Sequence, residues 1–104
     1  MSELLSIKAR RLLKLHRFIL QKLIKCSVED AKTILINAPI ELIKALRIIF
    51  KLLAEGKLGK ATKSLADKRL HRLTLVKLRE TLINHPQAPL KRLLKQAIPL
   101  IIRS

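Results

Sequence analysis

The stretch PIELIKALRIIFKLLAE, residues 39–55, decides the fold. Its apolar side chains cover most of the circumference of a helix and leave only a narrow polar strip. That strip consists of Glu41, Lys44, Arg47 or Ile48, Lys51 and Glu55. Pro39 suits the first turn of such a helix, and Gly56 suits the position just after its end. A helix this apolar belongs in the centre of a bundle, so we predict that Leu46 and Ile49 are fully buried.

The segments on either side of this helix also have helical periodicity. The chain contains only 2 Gly and 4 Pro, so it has few places to turn. We expect an all-α protein, a small bundle of four to five helices that forms a single basic domain, residues 1–104. Ser27, followed three residues later by Asp30, predicts the start of the second helix. The expected elements are helices 3–25, 28–36, 39–55, 60–84 and 89–98 and an apolar tail, 99–104. The irregular pattern in the fourth helix leaves room for a kink or break near residues 67–74.

The first helix, 3–25, is amphipathic. Apolar residues and His16 recur on one of its faces at spacings of three and four, the pattern of a helix that packs against a partner. This seam consists of Leu5, Ala9, Leu12, His16, Ile19 and Leu23. Ile7, Leu15 and Phe18 fall instead on the basic face. Because exposed apolar groups in such numbers usually mark an interface, this face is expected to contact a partner.

The candidate partner surface combines Phe18 with the apolar tail. Pro99 is expected to end the last helix and to leave Leu100, Ile101 and Ile102 at a chain terminus that would normally fray. One interpretation is that the tail folds back and covers Phe18 within the same chain. The favoured one is that another copy of the chain, or another protein, buries at least one of these surfaces.

Charge is the most informative property of the chain. Lys and Arg number 23 against 7 Asp and Glu, a formal net charge of +16, while 49% of the residues are hydrophobic. This composition argues against a disordered polycation, and self-repulsion at such a charge calls for a polyanionic partner. Nucleic acid is favoured, double-stranded DNA in particular, because Lys and Arg bind phosphates with little demand on sequence. The expected phosphate contacts are Lys8, Arg10, Arg11, Lys14, Arg17, Lys60, Lys63, Lys68, Arg69 and Arg72.

The sequence offers little for catalysis or metal binding. Cys26 is the only cysteine, so neither an internal disulfide nor a Cys-rich zinc site can form. His71 and Asp67 have a helical spacing of four, which a surface contact explains better than a site. Gly-rich phosphate loops, GxSxG elbows and HExxH helices are missing from the sequence. We expect a protein that is not an enzyme and that needs no metal or cofactor.

No targeting segment stands out in the sequence, although residues 4–25, which are Arg-rich and lack acidic residues, would fit a transit peptide as well as a structural helix. The N-terminal segment is charged within ten residues, which does not fit a secretory signal. The longest apolar runs, such as Ile48–Phe50, fall far short of a membrane span.

Other functions stay open. A basic amphipathic helix also suits an anionic membrane surface, although Trp is absent and the heptad-like seam fits a partner helix better. A structural role is the other alternative, in which apolar helix faces hold partner subunits and the charge contacts an acidic protein surface. A histone fold needs a longer central helix than 39–55. A helix-turn-helix at 28–55 would lack a cluster of base-reading side chains.

The order of segments resembles the small basic helical proteins of Polinton-type elements and of adintovirus- or adomavirus-like double-stranded DNA viruses. The similarity runs over residues 16–95 and includes SVEDAK at 27–32, PIEL at 39–42, LAEG at 53–56 and LKRLL at 90–94. The chain lacks the denser Lys/Arg run after the last turn, and the Gly-Gly pair beyond it, that members of this group have. The resemblance implies a virion-associated protein, a core or inner-capsid component that contacts packaged DNA, and it supplies no catalytic residues. It also implies a capsid protein as the partner of the exposed apolar surfaces, and a location in a virion or in the nucleus or cytoplasm of a host cell.

Overall fold

A computed structural model of the chain describes residues 7–57, 69–84 and 94–99. These residues form helices and turns, with no strand among them, so the predicted all-α bundle is confirmed. The helices are α1 (Ile7–Leu15), α2 (Arg17–Lys25), α3 (Val28–Asn37), α4 (Ile40–Ala54) and α5 (Leu75–Asn84), with a 3₁₀ helix at Leu70–Arg72 before α5. Residues 94–99 are helical as well.

Helix α4 lies at the centre of the bundle, as its apolar circumference predicts. Helix α1, the 3₁₀ helix and α5 all pack against it, while α3 packs against α5. Leu46 and Ile49 have no exposed surface, which confirms the prediction made for them. The other buried residues of α4 are Leu42, Ile43, Ala45, Phe50, Leu52 and Leu53. With most of its sides buried, α4 exposes little more than its polar strip.

The predicted first helix, 3–25, is not continuous. The structure divides it at His16, whose backbone has φ −102° and ψ 13°, into α1 and α2. The predicted seam is confirmed in part: His16 and Leu23 are buried, and Ala9, Leu12 and Ile19 are half-buried against the core. Leu13 and Leu20, which the pattern does not place in the seam, are also buried. The break lets each short helix turn its own apolar side to the core. Leu5 lies outside the described residues.

Both junctions around α3 follow local chemistry. The Ser27 side chain accepts a hydrogen bond from the Asp30 amide at 3.2 Å, so the predicted N-cap is confirmed. Pro39 is the residue before α4, with ψ 155°, and not a member of its first turn as expected. At the other end of α4, Gly56 has φ 73°, a conformation that glycine adopts without strain. The amides of Gly56 and Lys57 bond back to Leu53 and Leu52, a Schellman ending.

The predicted fourth helix, 60–84, is interrupted. After the 3₁₀ helix, Leu73 is extended, with ψ 153°, and the Thr74 side chain accepts a hydrogen bond from the Lys77 amide at 3.2 Å, so that α5 starts anew. The break lies inside the interval 67–74 that the sequence pattern indicates. The first part of that predicted helix, up to residue 68, lies outside the described residues.

The last helix also differs from the prediction where it is described. Its helical conformation continues through Pro99, whereas the sequence pattern predicts that the helix ends at residue 98 and that Pro99 stops it. A boundary that differs by one residue is ordinary for helix ends. Leu94, Ala97 and Ile98 are buried and join the core.

Candidate nucleic-acid interface

A groove of about 580 Å³ lies between α1 and α4. Its apolar floor and sides consist of Ala9, Leu12, Leu15 and Ile48. Its charged lining consists of Lys8, Arg11, Lys44 and Arg47 together with one carboxylate, Glu41. On each helix these residues recur at spacings of three and four, which places them on a single helical face. Packing of α1 against α4 therefore brings basic side chains from distant parts of the sequence around one apolar channel.

A second depression, of about 320 Å³, continues along α4. It is lined by Arg47, Ile48, Lys51 and His71, so Arg47 and Ile48 belong to both depressions. With a rise of about 1.5 Å per residue, Glu41 and Lys51 lie about 15 Å apart along α4. We call the two depressions together the basic groove.

The cations of the basic groove differ in how exposed their side chains are. Lys8, Arg11, Lys44 and Lys51 are exposed, so they can rotate toward a ligand. Arg47 is half-buried, and its Nη1 donates a hydrogen bond to the Leu73 carbonyl at 3.4 Å. This contact ties α4 to the end of the 3₁₀ helix and fixes the guanidinium where the two depressions meet.

The acidic residue of the groove occupies a position of its own. Glu41 is in the first turn of α4, where the helix dipole stabilises a carboxylate. Glu41 therefore stabilises the start of α4. It lies at one end of the line of cations that runs along this helix. The potential in the rest of the groove is positive.

The predicted phosphate contacts divide into four groups. Lys8 and Arg11 line the groove, whereas Arg10, Lys14 and Arg17 lie on α1 and α2 outside its lining. Arg69 and Arg72 are exposed beside the 3₁₀ helix that supplies His71. Lys60, Lys63 and Lys68 lie outside the described residues.

Arg10 and His16 are less available for a ligand than their neighbours on α1 and α2. Arg10 is half-buried, and its Nε is buried without a hydrogen-bond partner. His16 is buried at the helix break, and its Nε2 also lacks a hydrogen-bond partner. Arg10 is therefore less exposed than the other cations that the sequence predicts as phosphate contacts on α1 and α2.

A second cluster, the α1–α2 arm, comprises the outer face of residues 7–25. Residues 8–25 contain seven Lys and Arg and no Asp or Glu. Ile7, Leu15 and Phe18 are 66%, 72% and 73% exposed on this arm, so their predicted position on the basic face is confirmed. The Arg17 guanidinium lies 5.1 Å from the centre of the Phe18 ring. The other predicted partner contacts, Leu100, Ile101 and Ile102, lie outside the described residues.

Sequence reasoning did not place Lys44, Arg47 and Lys51 in the site. They appear in the sequence as the polar strip of an apolar helix, and such a strip usually does no more than face water. Their spacing of three and four was a usable signal, because it aligns three cations on one face. What the sequence could not reveal is that α1 lies beside this strip and adds Lys8 and Arg11.

Comparison of the chain with protein-family models, with curated proteins and with solved structures found no significant match. Within residues 7–57, 69–84 and 94–99, no three His, Cys, Asp or Glu side chains come together as a metal site would require. In the same residues, no helix combines the length and the hydropathy needed to cross a bilayer. Function is therefore inferred from the basic groove and the α1–α2 arm.

Proposed function

We propose that the protein is a non-enzymatic nucleic-acid-binding protein that contacts phosphates with little regard to base sequence. The observation that supports this proposal is the basic groove. Folding brings Lys8 and Arg11 of α1 beside Lys44, Arg47 and Lys51 of α4, with Glu41 as the one carboxylate in the described lining. Such a concentration of cations attracts a polyanion and repels other cations.

Phosphate binding suits both the chemistry and the dimensions of the groove. Lys and Arg bind phosphates by displacing condensed counterions, which favours association without base contacts. A groove of about 15 Å matches about four phosphates of one strand, which repeat every ~3.4 Å. The described lining contains no Asn or Gln, the side chains that pair with adenine in the major groove. These features favour sequence-tolerant binding.

The resemblance to proteins of Polinton-type elements and related double-stranded DNA viruses suggests where this activity is used. In that setting the protein is a core or inner-capsid component that contacts the packaged genome inside a virion. Capsid or partner subunits would then cover the exposed apolar residues Ile7, Leu15 and Phe18. A structural protein without affinity for nucleic acid and a cationic protein of anionic membranes are the alternatives that the experiment below separates.

The test compares two double variants of equal charge. Lys44→Gln with Lys51→Gln removes two cations from the groove, whereas Lys77→Gln with Lys95→Gln removes two exposed cations from elsewhere. Binding to labelled DNA is measured by fluorescence anisotropy over a range of salt concentrations. We expect the groove variant to bind more weakly and to lower the salt slope by about one for each phosphate contact removed. The control pair should change both quantities much less.

Three results would contradict the proposal. Equal effects of the two double variants would show that binding follows net charge and not the groove. Binding of the parent protein to anionic vesicles but not to DNA or RNA would favour the membrane alternative. Failure to bind either would favour the structural one.

A further inference from the structure

We infer that the preferred ligand is a single strand and that Phe18 is the platform on which one of its bases stacks. The inference rests on the proposed nucleic-acid-binding function and names the form of the ligand. Two observations carry it independently: an exposed aromatic ring on the acid-free α1–α2 arm, and an apolar floor inside the basic groove.

Phe18 is unusually exposed for a phenylalanine. The chain has two phenylalanines; Phe50 is buried in the core, whereas Phe18 is 73% exposed. On the same helix, Leu20 and Leu23 are buried, so α2 has an apolar side that Phe18 does not join. Leaving a large apolar side chain in water forgoes the favourable free energy of burying it. A partner that covers the ring would recover this energy.

The surroundings of the ring indicate what that partner is. The Arg17 guanidinium is 5.1 Å from the ring centre, a cation–π distance, and residues 8–25 contain no acidic side chain. An exposed aromatic ring among cations is the arrangement with which proteins bind single strands, because every base has a face that stacks and every linkage carries a charge. An acidic peptide would use the cations, but it would not need a flat ring.

The basic groove extends this surface. Leu15 is 72% exposed, lies three residues before Phe18 and lines the groove together with Ala9, Leu12 and Ile48. A duplex keeps its bases stacked inside and offers a groove of this kind only sugars and phosphates. An unpaired strand also offers base faces, which can rest on an apolar floor while the phosphates meet the cations around it. Leu15 lies in the groove and three residues from Phe18 in the chain, so we take the ring as the extension of the groove for an unpaired strand.

The experiment uses the full chain and three probes: labelled oligothymidylate, labelled oligouridylate, and the same oligothymidylate annealed to oligoadenylate. Anisotropy is measured for the parent, for Phe18→Ala, Phe18→Leu and Phe18→Tyr, and for Val76→Ala. Val76 is a matched control, since it is 68% exposed on α5. Circular dichroism checks that every variant remains helical, as the exposure of Phe18 leads us to expect.

We expect the parent to bind the single strands more tightly than the duplex. Phe18→Ala and Phe18→Leu should weaken single-strand binding by roughly 5- to 150-fold, the range for one base stacked on an aromatic ring. Both should leave duplex binding unchanged. Phe18→Tyr, which keeps an aromatic ring, and Val76→Ala should bind like the parent. A Phe18-dependent interaction with either single strand supports the inference.

Several results would overturn the inference. Tighter binding of the duplex, or parent-like single-strand binding by Phe18→Leu, would remove the base-stacking role while leaving the proposed phosphate binding intact. Loss of self-association or of binding to anionic vesicles in the Phe18 variants, without loss of single-strand binding, would assign the ring to a protein or a membrane. Failure of the parent to bind any of the three probes would overturn both this inference and the proposed function.

Discussion

Single residues of α4 contribute to stability according to how completely they are buried. Ile49 is enclosed on all sides by the bundle, whereas Ile36 on α3 is an isoleucine that is 56% exposed. Truncation of a buried isoleucine removes apolar contacts and leaves a cavity that the surroundings fill only in part. The two positions therefore separate the effect of burial from the effect of residue type.

We predict that Ile49→Ala lowers the free energy of unfolding by about 2–5 kcal/mol, measured by urea denaturation followed by circular dichroism. Ile36→Ala serves as the control and should change the same quantity by about 0.5 kcal/mol or less. A loss below about 1 kcal/mol for Ile49→Ala would contradict the central position of α4, because a fully buried isoleucine costs more than this.

At the scale of helices, arginine side chains join the ends of elements that are distant in sequence. The Arg79 Nη1 on α5 donates hydrogen bonds to the carbonyls of Leu35 at 3.4 Å and Ile36 at 3.1 Å, near the C-terminal end of α3. The last carbonyls of a helix lack partners within it, and a cation there also meets the negative end of the helix dipole. Arg79 thus holds α5 against α3 and is not part of the free positive surface.

We predict that Arg79→Met lowers the free energy of unfolding by about 1–3 kcal/mol, the range for hydrogen bonds from a charged group. Lys77→Met is the matched control on the same helix: it removes one charge and an exposed ion pair with Glu80 at 3.8 Å. Exposed pairs of this kind contribute about 0.2–1 kcal/mol, so the control should change stability less. Equal changes in thermal or urea unfolding for the two variants would show that Arg79 acts only through its charge.

The sequence predicts where a helix starts or ends when the residues that cause the boundary lie close to it in the chain. The start of α3 follows from Ser27 and the end of α4 from Gly56, and both causes lie within a few residues. The break at His16 has no such signal, because no Gly or Pro stands near it and both sides keep a helical pattern. The packing of two short helices on one core produces the break, and local helix propensity does not predict such packing.

The same distinction applies to the candidate site. The sequence predicts that Lys8 and Arg11 face outward, since helical periodicity alone places them opposite the apolar seam. It does not predict that Lys44 and Lys51 stand beside them, since this depends on a contact between α1 and α4, far apart in the chain. Exposure of Phe18 follows from the pattern, whereas the apolar floor that continues from Leu15 depends on the fold.

At the scale of the whole molecule, a net charge of +16 coexists with a compact apolar core built around α4. Repulsion among these charges opposes folding, so a polyanion that binds the folded chain should both neutralise and stabilise it. In the described residues, buried or bonded arginines such as Arg47 and Arg79 account for only part of the charge. The exposed cations of the groove and of the α1–α2 arm remain for a ligand.

The most direct test of phosphate binding is the affinity of the full chain for nucleic acid as a function of salt, measured on one sequence and on its scrambled version. If six to ten phosphates are neutralised, affinity should fall by about 10³–10⁵-fold between 50 and 200 mM salt. Scrambling should change it little at any salt concentration. A salt slope near zero, or a strong preference for one of the two sequences, would contradict a protein that binds nucleic acid through its phosphates.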